Sequence, residues 1–189
     1  MNRAPAPVAT REDAELLARA MAPYAPKGTV YLREASVTVR EGQVVGTGRF
    51  AITESCYIEE TGHFNAVEFN ISYNQLFYYT LAVAVRDKLI PELAHWSMDD
   101  YWRRQLPAVV ITDLRSHYRR PIDARDYRAE LTICEVEFRH RSRPLIALST
   151  QVEFTDSGSG SAMGGVEIAL LDPPQVSPVR VSPVQVAGR

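Results

Sequence analysis

The sequence predicts an α+β fold in which one antiparallel β-sheet wraps a single long helix. Three observations predict it. From Ala66 to about Leu89 the residues are apolar or aromatic on nearly every face, the pattern of a helix buried on all sides. Two alternating, β-branched runs precede that stretch, and about four follow it. Short turns separate the runs, so neighbouring strands pair antiparallel and form one sheet with one rod to cover.

Each element has its own signal. Residues 1–10 are rich in Pro and Ala and are expected to be disordered. Thr10 and Asp13 open a short amphipathic helix with Leu16, Leu17 and Met21 on one side, and Pro23 to Gly28 stop it. Residues 29–39 and 43–52 read as strands around a Glu41-Gly42 turn, with Gly46 and Gly48 marking a bulge or a close backbone approach. Asn65 stands at the cap position of the long helix, and Glu68 three residues later completes the capping-box spacing. At 1.5 Å per residue that helix is roughly 35 Å long. Pro91 ends its tail, and Ser97 to Asp100 open another short helix carrying Tyr101, Trp102 and Leu106. Strand-like runs follow at 107–119, 127–138, 144–155 and 163–171. One domain is thus expected over 11–171, with a Pro/Val-rich tail over 172–189. A single sheet wrapped around one long helix is the hotdog fold.

Composition excludes several classes. A net charge of −2 speaks against a general nucleic-acid binder. Two cysteines, Cys56 and Cys134, make no disulfide framework, and the expected setting is a reducing cytoplasm. The first residues carry no signal-peptide apolar run. The long helix has the length of a membrane span, but Glu68, Asn70, Asn74, Gln75, Arg86 and Asp87 make it a core helix instead. No Gly-x-Ser-x-Gly elbow, P-loop or dinucleotide fingerprint occurs. His63, His95, His117 and His140 have no metal-ligand spacing, so neither metal nor cofactor is expected.

The remaining polar set gathers at the start of the long helix. A helix N-terminus offers unsatisfied N–H groups and partial positive charge, and Gly62 lets backbone approach a ligand. Asn65 is either a plain cap or a donor aimed at a thioester carbonyl. Asn70, Tyr73 and Asn74 lie near one helical face and either bond to the sheet or orient a water or substrate. Tyr24 and Tyr57, taken singly, read as core tyrosines, better hydrogen-bond donors than bases at neutral pH. Cys56 reads as an inert thiol, and His63 as a turn residue able to change charge near neutral pH. Eight arginines between 115 and 143 form a solvated face or receive the phosphates of coenzyme A or an acidic carrier protein.

Several motifs together resemble one family. They are Pro23-Tyr24-x-x-Lys27-Gly28, Glu54-Ser55-x-Tyr57-Ile58, Thr61-Gly62-His63-Phe64-Asn65-Ala66-Val67-Glu68, Asn74-Gln75-Leu76 and Ser97-x-Asp99-Asp100-Tyr101. These closely resemble the FcoT-like, or type III, thioesterases, over roughly residues 12–171. The resemblance implies a hotdog fold and one of two activities. One is long-chain fatty acyl-CoA hydrolysis. The other, in isonitrile lipopeptide biosynthesis, adds glycine to the β-carbon of a (2E)-enoyl group on an acyl carrier protein and then hydrolyses the thioester. The product is a 3-[(carboxymethyl)amino] fatty acid. By motif, the implied catalytic residues are Tyr24, Tyr57, Asn65 and Asn74, with His63, Gly62 and Asn70 as substrate-binding candidates. The expected partners are an enoyl-loaded carrier protein or acyl-CoA, glycine, and a second copy of the chain. The copy is expected because Asn65 and Asn74 lie about half a turn out of phase and roughly 13 Å apart along an ideal helix. Gly62-His63-Phe64 is also similar to hotdog hydroxyacyl-carrier-protein dehydratases, but the region where those carry a helix acid offers asparagines here. A non-catalytic acyl-binding module is the alternative from a different class.

Overall fold

The computed structural model describes residues 11–56, 58, 63–140 and 143–174. The expected N-terminal disorder, the tail beyond 174, and Tyr57 and Gly62 lie outside the described residues.

The element order follows the sequence closely. Helix α1 spans Arg11–Met21, and a 3-10 turn at Ala25–Lys27 ends on Gly28 in the left-handed region, φ 65°. Strands β1 (Leu32–Arg40) and β2 (Gln43–Phe50) form a hairpin through Glu41 and Gly42, both at positive φ. Helix α2 runs Ala66–Arg86, a second 3-10 turn covers Pro91–Leu93, and α3 spans Met98–Arg104. Strands β3 (Val109–Arg120), β4 (Tyr127–His140), β5 (Pro144–Asp156) and β6 (Ser161–Leu171) complete the chain. All six strands join one antiparallel sheet in the order β1-β2-β4-β5-β6-β3. This is the hotdog arrangement, with β1 and β3 at the edges.

Three contacts fix how α2 lies on the sheet. Gly46 and Gly48 are close-approach glycines, and β2 keeps its register through both. A Cβ at Gly46 would run into the Thr80 hydroxyl, and one at Gly48 would lie 3.2 Å from Leu76 Cδ1. At the other end, a Cβ on Gly164 of β6 would lie 2.6 Å from the Phe69 ring. Between them, fully buried Gln75 accepts hydrogen bonds from Tyr31 N and Leu32 N, both at 2.9 Å, and donates to Thr29 O at 2.6 Å. One side chain thereby satisfies three backbone groups where the chain enters β1, groups that would be costly to bury unpaired.

The helix is not buried on all sides. Its second half is, from Gln75 to Val85, but Val67 is exposed and Asn70, Ile71 and Asn74 are half-buried. The apolar pattern extends to this stripe, which the described residues do not cover fully. Tyr73 departs from its neighbours as well. It is fully buried, and its hydroxyl bonds Thr150 Oγ1 at 2.7 Å, so it faces the sheet rather than joining Asn70 and Asn74.

Candidate active site at the tip of the long helix

The segment before α2 is anchored by aromatic packing. Phe64 is buried, with ring centroids 4.9 Å from Tyr127, 5.0 Å from Phe154 and 6.1 Å from Phe69. Its N–H donates to Ile122 O at 3.1 Å, which ties the helix tip to the β3–β4 turn. Asn65 follows in extended backbone. Its Oδ1 accepts from Val67 N at 2.9 Å and Glu68 N at 3.3 Å, while Glu68 Oε2 accepts from Asn65 N at 3.1 Å. The capping box is therefore complete. The cap uses only the oxygen, however. Asn65 Nδ2 is buried and has no hydrogen-bond partner among the described residues. An orphan amide at a positive helix end is a donor in want of an acceptor.

A cavity of about 350 Å³ opens at this tip, lined by residues 63–66 and 118–122. One wall is the end of edge strand β3, where the pairing with β6 slips between Tyr118 and Arg120 and leaves Arg119 as the extra residue of a bulge. Bulges of this kind re-aim side chains beside functional sites. The arginines of the region divide here. Arg115 pairs with Asp113, Arg139 with Glu137, and Arg143 with Asp172. Arg119 donates to the Met163 sulfur at 3.6 Å, and neither it nor Arg120 meets an acid among the described residues.

A second polar group sits farther along α2. Asn74 Nδ2 donates to Asn70 Oδ1 at 3.3 Å. One turn on, the Tyr78 ring lies 6.5 Å from that of Tyr24, and Tyr78 O accepts from the fully buried Tyr101 hydroxyl at 2.7 Å. Burial, with Tyr78 close by, pushes the Tyr24 hydroxyl well above the ordinary tyrosine range, so it stays protonated and donates. Asn65 and Asn74 are not brought together within the chain. Nine residues of continuous helix separate them, about 13 Å of rise.

The other candidates fall as follows. His63 is exposed and lines the cavity, and Cys56 is an exposed thiol. Burial raises the Cys134 thiol. Tyr57 and Gly62 are outside the described residues. Sequence reasoning did not bring Tyr78 beside Tyr24 and did not separate Arg119 and Arg120 from the other arginines. Tyr78 was findable as the residue one turn beyond Asn74. The bulge that sets Arg119 apart has no sequence signature.

Known proteins match this architecture. Residues 19–170 match the FcoT-like thioesterase domain. The (2E)-enoyl-[ACP] glycyltransferase of Mycobacterium tuberculosis is 39% identical over 160 residues, covering 85% of this chain and 87% of its own. That of Streptomyces coeruleorubidus is 35% identical over 169 residues, covering 86% and 99%. Among solved structures, mouse thioesterase superfamily member 2 superposes with a TM-score of 0.50 at 9% identity, over 86% of this chain and 99% of its own. The last shows the shared hotdog fold alone. With the family domain over most of its length and relatives of this similarity, the chain belongs to the FcoT-like thioesterase family.

Proposed function

We propose that the protein adds glycine to the β-carbon of a (2E)-enoyl-[acyl-carrier protein] and then hydrolyses the thioester, releasing a 3-[(carboxymethyl)amino] fatty acid for isonitrile lipopeptide biosynthesis. The orphan amide of Asn65, a residue that lines the tip cavity, carries the reading. The relatives that are named (2E)-enoyl-[ACP] glycyltransferases support it.

The chemistry needs such a donor twice. Asn65 Nδ2 and the helix tip polarise the thioester carbonyl and draw electrons from Cβ. The glycine nitrogen forms a bond to Cβ, the C=C electron pair moves toward the carbonyl as an enolate, and a proton passes from nitrogen to Cα. Nothing leaves in this step. Water then adds to the same carbonyl, the oxyanion returns to the same donors, and the carrier thiol departs. Tyr24 stays protonated in its buried site and is suited to donate, while Asn74 is suited to hold the hydrolytic water. Tyr57 joins them by its place in the family motif.

A homodimer completes the site. The half-exposed stripe of α2, the unpaired edge of β3, and the separation of Asn65 from Asn74 support a second copy laid against both. No helix among the described residues is long and apolar enough to cross a membrane. The unpaired cysteines fit a reducing cytoplasm.

The deciding experiment incubates the protein with an enoyl-loaded carrier protein, with and without glycine, and weighs the products. Glycine-dependent adduct acid supports the proposal. Release of unmodified acid alone makes the protein a plain acyl thioesterase, and no turnover makes it an acyl-binding module.

A further inference from the structure

We infer that Arg119 and Arg120 hold the carboxylate of the incoming amino acid. The inference rests on the glycine-addition reading above.

An amino acid presented as a free amine leaves its carboxylate as its one fixed handle, and a guanidinium matches that group with paired N–H donors. Within the run from Arg115 to Arg143, three arginines are spent on acids of their own, namely Asp113, Glu137 and Asp172. Arg119 and Arg120 are not. They line the cavity that also contains the helix tip and Asn65. Two consecutive arginines that meet no acid among the described residues bring positive charge to this site. A ligand anion balances that charge.

Covalent geometry decides which anion. The phosphate of a pantetheine arm lies thirteen bonds from the sulfur, about 15 Å when extended. A phosphate held there would leave its own thioester carbonyl about 15 Å away along an extended arm, whereas Arg119, Arg120 and Asn65 line one cavity of about 350 Å³. In the adduct, the glycine carboxylate carbon is only five bonds from the thioester carbon, at most about 6 Å. One such cavity spans both groups. The arginine pair therefore selects an amino acid over a simple amine.

The test compares glycine with glycinamide and methylamine as nucleophiles toward an enoyl-carrier protein, in the wild type and in Arg119→Gln, Arg120→Gln, the double variant, and Arg120→Lys. Thermal unfolding first establishes that each variant is folded. The wild type should prefer glycine to glycinamide by at least tenfold in kcat/KM. The double variant should lose most of that preference through a raised KM for glycine, and Arg120→Lys should keep part of it. If the double variant retains the preference, the inference is wrong. A raised KM for the carrier protein with the preference intact reassigns the pair to carrier docking. Wild-type protein that forms no adduct with any amine overturns the functional reading itself, a result distinct from retained preference in an active enzyme.

Discussion

Asn65 and Glu68 satisfy each other across the first turn of α2, and they do so without the Asn65 amide nitrogen. Glu68 N donates to Asn65 Oδ1 at 3.3 Å, Asn65 N donates to Glu68 Oε2 at 3.1 Å, and Nδ2 is left over. The side chain thus divides into an oxygen held by the cap and a nitrogen left out of it, which separate substitutions can address. Asn65→Ser keeps a cap acceptor and should leave unfolding free energy within about 0.5 kcal/mol, whereas Asn65→Ala should cost about 1 kcal/mol. Both should lower kcat by about 100-fold or more, the usual loss for one oxyanion donor. Urea unfolding and steady-state rates on an enoyl-carrier protein check both halves. An Asn65→Ser enzyme of wild-type activity would show the nitrogen to be idle.

Subunit mixing tests whether two copies of the chain share a site. Asn65→Ala and Asn74→Ala homodimers should each be nearly inactive. If each site takes Asn65 from one subunit and Asn74 from the other, random mixing makes half the dimers hybrid, each with one intact site. Activity should then recover to about a quarter of the wild-type value. A mixture no more active than its parents places both asparagines in one chain's site.

Gly46 and Thr80 should be coupled. Gly46→Ala drives a methyl into the Thr80 hydroxyl, a buried group without a hydrogen-bond partner. The single change should destabilise by about 1–3 kcal/mol, as overpacking does. Adding Thr80→Ala removes both the obstruction and an unsatisfied hydroxyl, so the double variant should regain most of the loss. A double-mutant cycle by chemical denaturation measures the coupling, and simple additivity of the two changes would refute it.

Acid should expose the cap of α3. Hydrogen bonds from the Ser97 hydroxyl and backbone N–H, with Arg103 beside them, hold the Asp100 carboxyl down to about 2. A depressed folded-state pKa stabilises above the ordinary carboxylate range near 4, and that stability is lost as pH falls toward 2. The stability difference between wild type and Asp100→Asn should be constant from pH 7 to about 5 and shrink between about 4 and 2. A difference that does not change over that interval would count against the assignment.

Local signals were legible in the sequence where one short stretch determines the outcome. The Asn65 and Ser97 capping boxes, the Glu41-Gly42 turn and the strand alternation each depend on residues within a few positions. Long-range matters were not. Nothing near Tyr73 distinguishes it from Asn70 and Asn74, because its partner Thr150 lies 77 residues away. The partly exposed stripe at Val67, Ile71 and Asn74 read as buried because apolar spacing does not say whether a covering surface exists. Arg119 gained its place from a slip in strand pairing, which is a property of two strands and not of either alone.

The three bonds made by Gln75 have a consequence for how the catalyst ages under mutation. They lock the helix against rolling about its own axis, and the aim of Asn65 is fixed some 15 Å away by that lock. A chain altered only at position 75 would carry every chemical group intact and point them a few degrees astray. A change at this buried side chain can therefore silence the enzyme without removing any group of the helix tip.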